Sequence, residues 1–178
     1  MVHINLAVPT SSPDDRGIPH TLEHLVFKGS QRYPKPGTLQ EAAARLGTAD
    51  LNAFTTHHFT AYILTAVSAE ATFSFLPILL DHVLHPLLSD DNFVTEVYHV
   101  KPDGNGGGVV YSEVLSQHMN ASYICRRFME KYLSPPDSPF HYNHGGDTDV
   151  IPALTNHDII EYHRRYYDPR FMVCTITG

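Results

Sequence analysis

Five residues near the start of the chain have the types and spacing to do chemistry. His20-Thr21-Leu22-Glu23-His24 sets two imidazoles four residues apart, with a carboxylate next to the second. On a helix, residues four apart stack on one face with their Cβ atoms about 5–6 Å from each other, so both rings reach a single ion. Glu23 then stands beside that ion, where a general base for a metal-bound water belongs. The bland alternative is a solvated helix face carrying these residues by coincidence. The chain has thirteen histidines, yet with positions taken as independent the pattern is expected only about 0.04 times in this length. Coincidence is a weak explanation.

Two histidines leave zinc short of a third protein ligand, and a catalytic site keeps its fourth position open for water. A carboxylate from another element is the usual completion, and the acidic candidates include Glu41, Glu70, Glu96, Glu113 and Glu130. Glu113 stands out. The segment Gly108-Val-Val-Tyr-Ser-Glu113 leaves a flexible glycine loop, Lys101–Gly108, and starts a helix whose apolar residues would bury it beside a sheet.

The elements that must position these groups follow from periodicity and punctuation. His3–Val8 alternates as a strand, and the turn Ser12–Gly17 leads to a helix from near Pro19 to Lys28, stopped by Gly29-Ser30. Thr38–Leu46 reads as a second helix capped by Thr38, with Glu41 at the capping-box position. Leu51–Val67 is rich in β-branched and aromatic residues and reads as two strands turning near His57-His58. Ala69–His85 is helical with a kink at Pro77, and a short helix covers Asp90–Tyr98. One long helix is expected from Val109 to about Leu133. Thr155 caps a last helix to Tyr167 with Asp158 at its third position, and Met172–Thr177 closes as a strand. This order gives an α+β domain, helices packed on one face of a mainly antiparallel sheet. No repeat or linker divides the chain, so residues 1–178 are expected to form a single domain, with strands at both chain ends suggesting truncation at each.

Composition bounds the function. Twelve basic against nineteen acidic residues, net −7, argue against a nucleic-acid partner, since phosphate contacts need concentrated Lys and Arg. No apolar run nears the ~18 residues of a membrane span, and Met1–Pro9 has no basic flank of a targeting segment. Two cysteines, Cys125 and Cys174, are too few for a disulfide framework and favour a reducing compartment. A cytoplasmic location is expected.

Gly17-Ile-Pro-His20-Thr-Leu-Glu23-His24-Leu-Val-Phe-Lys-Gly29-Ser resembles the active-site signature of the pitrilysin/insulinase (M16) metallopeptidases, an inverted zincin motif. Gly108–Glu113 resembles the segment that carries their third ligand. The separation of 89 residues from His24 to Glu113 (113 − 24) suits the presequence-protease-like branch. The likeness extends to Asn52-Ala-Phe-Thr, Leu80-Asp-His-Val-Leu-His-Pro and Leu154–His163, so it covers nearly the whole chain. It implies His20, His24 and Glu113 as ligands of one zinc, Glu23 as base, and Asn52, Ala53, Phe54 and Thr55 as an edge strand that holds substrate. It implies a zinc metalloendopeptidase acting on peptides or unfolded polypeptide. Such an enzyme works with a C-terminal half, from the same protein or a partner subunit, that closes over the substrate, and a mitochondrial matrix home becomes the alternative location. Relatives often have an acid seven positions before the third ligand, where this chain has Gly106.

Rival readings are a non-catalytic scaffold or peptide-binding subunit of the same fold, and a zinc that only stabilises it. Scaffolds of this kind usually lose part of the zinc motif, which is whole here. Glu23 argues against the stabilising zinc, because a structural site needs no carboxylate beside an open coordination position. Elsewhere bland readings win. His82 and His85 lie on a packing helix, His57-His58 sit at a turn, Arg126-Arg127 and Arg164-Arg165 are solvated, and the sequon Asn120-Ala-Ser122 falls in mid-helix.

Overall fold

The computed structural model describes residues 1–178, the side chain of Ala49 excepted. Strand β1 (Val2–Pro9) turns Ile4, Leu6 and Val8 inward and leaves His3 and Asn5 exposed, the alternation of a half-buried strand. It pairs antiparallel with β3 (Phe59–Ala66) on one side and β6 (Val173–Thr177) on the other. Strand β2 (Thr48–Thr55) pairs antiparallel with β3, so the sheet order is β2-β3-β1-β6 and β2 is an edge.

Helices cover the face that bears Leu6, Tyr62 and Leu64. Helix α1 (Ile18–Val26) contributes Leu22, Leu25 and Val26; α3 (Ala69–Leu84) contributes Phe75, Leu79 and Val83; α7 (Asn156–Tyr166) contributes Ile159 and Tyr162. The architecture is the expected α+β layer with a mainly antiparallel sheet. Helix α2 (Thr38–Arg45) lies against α3 and β2, and α4 (Asp90–Glu96) against α1. Helix α7 starts in a full capping box of Thr155 and Asp158, as the sequence indicates.

Several local expectations are corrected. The helix expected over 109–133 is two helices, α5 (Val109–Gln117) and α6 (Ala121–Leu133). The apolar periodicity runs through the break, but Asn120 ends it by capping α6, its Oδ1 accepting from the amides of Ser122 and Tyr123. The sequon is therefore at an exposed cap, not in mid-helix. Thr38 does not cap α2; Gly37, at φ 84°, precedes the helix, and the Thr38 hydroxyl donates backward to Lys35 O. Lys101–Gly108 is partly ordered: β4 (His99–Val100) and β5 (Gly106–Gly107) form a short antiparallel ribbon. Strand β2 begins at Thr48 rather than Leu51. Helix α5 packs on α1 and α4 rather than beside the sheet. Arg127 is not solvated but holds Asp15 at 2.7 Å with its side chain 12% exposed.

The start of α1 depends on a glycine. Gly17 sits at φ 71°, and a Cβ there would fall 2.6 Å from Gly145 O and 2.7 Å from the Gly146 backbone. Gly17→Ala combines left-handed strain with backbone overlap, and should lower stability by about 1–3 kcal/mol in urea unfolding.

Candidate metal centre

Helix α1 presents His20 and His24 one turn apart, rings edge to face at 4.8 Å between centroids. Each imidazole is held from behind. His20 Nδ1 lies 3.1 Å from Gly145 O, and His24 Nδ1 lies 3.1 Å from Glu96 Oε1. With Nδ1–H donated backward, both Nε2 atoms are directed to a common point and stand 3.2 Å apart. Glu113, from the first turns of α5, brings Oε2 to 3.4 Å from His24 Nε2 and 3.8 Å from His20 Nε2. The potential ligand atoms of these three residues all lie within 4.8 Å of one another.

These separations suit a metal. Ligand atoms at 2.0–2.1 Å from a tetrahedral zinc stand roughly 3.3–3.4 Å from each other, and two histidines with a carboxylate are a zinc donor set. The electrostatics call for a cation as well. Burial opposes a charge on His24, but the carboxylates of Glu113 and Glu96 outweigh it and raise its pKa to about 9. The same carboxylates that favour a proton on His24 would favour a metal ion in its place. His20 moves the other way, lowered by burial and then by its neighbour His24. Glu113 is held below the usual carboxylate range by its contact with His24. Its Oε1 accepts from Gln117 Nε2 at 3.3 Å.

Glu23 lies beside the trio and is 8% exposed. Its burial raises the carboxyl pKa, against a hydrogen bond donated by the Thr55 hydroxyl to Oε2. A carboxylate with a raised pKa next to a cation-seeking centre is suited to take up and return a proton.

A cleft of about 370 Å³ runs over these groups, lined also by Phe27, Lys28, Gln40, Leu51, Asn52 and Ala53. Side chains alternate along β2: Leu51, Ala53 and Thr55 are half-buried, while Asn52 and Phe54 are exposed. The four residues expected as a substrate strand therefore lie on an edge, beside the cleft, with one side of the backbone unpaired.

Two parts of the site escaped sequence reasoning. Glu96, one of the five acidic candidates for the third ligand, stands behind His24 instead, bonded on its far oxygen to Lys28 Nζ at 2.5 Å. Gly106 carries no acid, and a Cβ there would lie 2.6 Å from the Tyr111 ring. The stretch between Phe140 and Pro152 reads as a loop with no role of its own, yet its Gly145 supplies the carbonyl that turns His20. The one signal was Gly145-Gly146 after His144, a run fit for close backbone approach. His57 is at the β2–β3 turn as expected, but buried, with its ring 4.4 Å from that of His144. His82 is buried, with Nδ1 2.9 Å from Ile78 O.

Glu96→Gln keeps the shape behind His24 and removes the charge. Zinc affinity should fall about 10–100-fold in isothermal titration, and Glu113→Ala should weaken it further.

Residues 10–123 match the family described as Insulinase (Peptidase family M16). An uncharacterized protein of Caenorhabditis elegans is 36% identical over 179 residues, covering 100% of this chain and 18% of that protein. One of Schizosaccharomyces pombe is 37% identical over 174 residues, covering 98% and 17%. The mitochondrial presequence protease of Gibberella zeae is 30% identical over 176 residues, covering 93% and 17%. The chain thus spans about a sixth of the length of the curated relatives it matches. No helix among the described residues is long and apolar enough to cross a membrane. With the family match extending over well more than half of its residues, the chain belongs to the insulinase family of peptidases, M16.

Proposed function

We propose that residues 1–178 form the N-terminal catalytic domain of a zinc metalloendopeptidase of the presequence-protease-like branch, hydrolysing peptides or unfolded segments. The observation that carries this reading is the convergence of His20 Nε2, His24 Nε2 and Glu113 Oε2 beside the buried carboxylate of Glu23. A zinc ion held by those three atoms would supply Lewis acidity, polarising a peptide carbonyl and acidifying water.

The protein's own groups do the rest. Glu23 takes a proton from the attacking water and returns it to the leaving amine. The Thr55 hydroxyl fixes one Glu23 oxygen, leaving the other free for that transfer. Gly145 O and Glu96 keep the imidazoles turned with Nε2 inward, and Gln117 steadies Glu113. A peptide laid along Asn52–Thr55 bonds through its main chain, which tolerates varied sequence but demands an extended, unfolded segment. The relatives' length supports a further half of the protein that closes over the substrate. Relatives named as mitochondrial fit a mitochondrial home, the alternative to the cytoplasm.

In the full-length protein, Glu23→Gln should lower peptide cleavage by at least about 10²–10⁴-fold while about one zinc per chain remains bound. Loss of zinc from that variant, or unchanged cleavage, refutes the assigned role. Thr55→Val removes the hydrogen bond that is the main opposition to burial at Glu23, leaving the His24 charge alone to draw its pKa down. Cleavage depends on ionised Glu23, so the acid limb of the pH–rate profile should move to higher pH.

A further inference from the structure

Ala53, His20, Glu23 and Glu113 line two cavities, and so mark the divide between them. The larger extends toward Leu51. The smaller, about 190 Å³, extends toward Thr55 and is walled by Phe54 and Thr55 of β2, Gln117 of α5 and His144 of the glycine loop. Two of its polar side chains are committed: Thr55 donates to Glu23, and Gln117 donates to Glu113. His144 is not.

The His144 side chain has no part in shaping its own loop. Asn143 does that work: its Oδ1 accepts from Gly145 N at 3.1 Å, and its Nδ2 donates to Gly146 O at 2.9 Å and Asp147 Oδ1 at 2.6 Å. The His144 ring stands edge to face against His57 at 4.4 Å, and its buried Nδ1 has no hydrogen-bond partner. The Nε2 of His57 beside it is likewise buried without a partner, and buried nitrogens are seldom left so. Burial, with His57 and His20 nearby, pushes this imidazole down to about 3, so it meets a ligand as a neutral donor and acceptor.

We infer that His144 builds a polar subsite that selects a small, uncharged hydrogen-bonding side chain (Ser, Thr or Asn) on the residue preceding the scissile bond. The assignment rests on the peptidase reading above. A peptide antiparallel to β2, as β3 is, runs its N-terminal side toward Thr55, which places the residue before the bond at the small recess. The residue after the bond falls in the larger cavity, beside Phe27 and Leu51. A neutral imidazole distinguishes side chains by whether they can pair with it, and an apolar group in the recess leaves its nitrogens without a partner.

The test uses the zinc-loaded full-length protein and a peptide set varied singly on each side of the cleaved bond, with products identified by mass spectrometry. The wild type should favour Asn or Thr over Leu before the bond. His144→Leu and His144→Ala should each lower that kcat/KM ratio about tenfold, His144→Gln should recover most of it, and preference after the bond should hold throughout. Zinc content measured for every variant reports on an intact centre. An unchanged ratio in both truncations, or a shift confined to the residue after the bond, overturns the subsite alone. Zinc-loaded wild type that cuts no peptide overturns the peptidase reading and the subsite together.

Discussion

Two imidazole nitrogens 3.2 Å apart, with carboxylates on more than one side, form a centre that favours a positive charge within it. Much of the surrounding structure serves that demand. Glu96 and Gly145 O each occupy an Nδ1, so neither ring can turn away. Lys28 balances the charge of Glu96, which burial alone would push toward its neutral form and which these partners instead hold low. Removing one carboxylate therefore alters the centre's appetite for a cation as well as its shape.

The parts of this arrangement legible in the sequence are those that depend on local geometry. The pairing of His20 with His24 follows from helical spacing alone, and Pro19 with Gly29 brackets the helix that carries them. The β2–β3 hairpin, the α7 capping box and the alternation of β1 were readable for the same reason. Glu113 was found by the glycine loop that launches it. What the sequence concealed depends on tertiary approach. Nothing in the spacing of residues 90–98 says that Glu96 turns toward His24 rather than toward a metal, and nothing near His144 says that its loop reaches α1. The break between α5 and α6 was hidden because apolar residues continue in phase across it, while a single side chain, Asn120, decides the new start.

Glycine recurs at the contacts that hold the site, for steric reasons. Gly108, at φ 116°, lies so close to Val97 that a Cβ would stand 2.3 Å from its carbonyl oxygen. This fixes α5 against the end of α4, and hence Glu113 relative to Glu96. Gly17 does the same between α1 and the loop that orients His20. The precision of the ligand set is thus set by backbone packed against backbone, which leaves less play than side-chain packing would.

The free margin of β2 has its own limit. Its pairing with β3 slips in register between Thr48 and Asp50, and such an irregularity bends a strand away from straight alignment. The regular stretch, Asp50–Thr55, measures about 20 Å at the rise of an extended chain. Any guest strand can be zipped to it for only about six residues, so a longer polypeptide must leave this margin at both ends. The same brevity shields the domain from pairing margin to margin with its own copies.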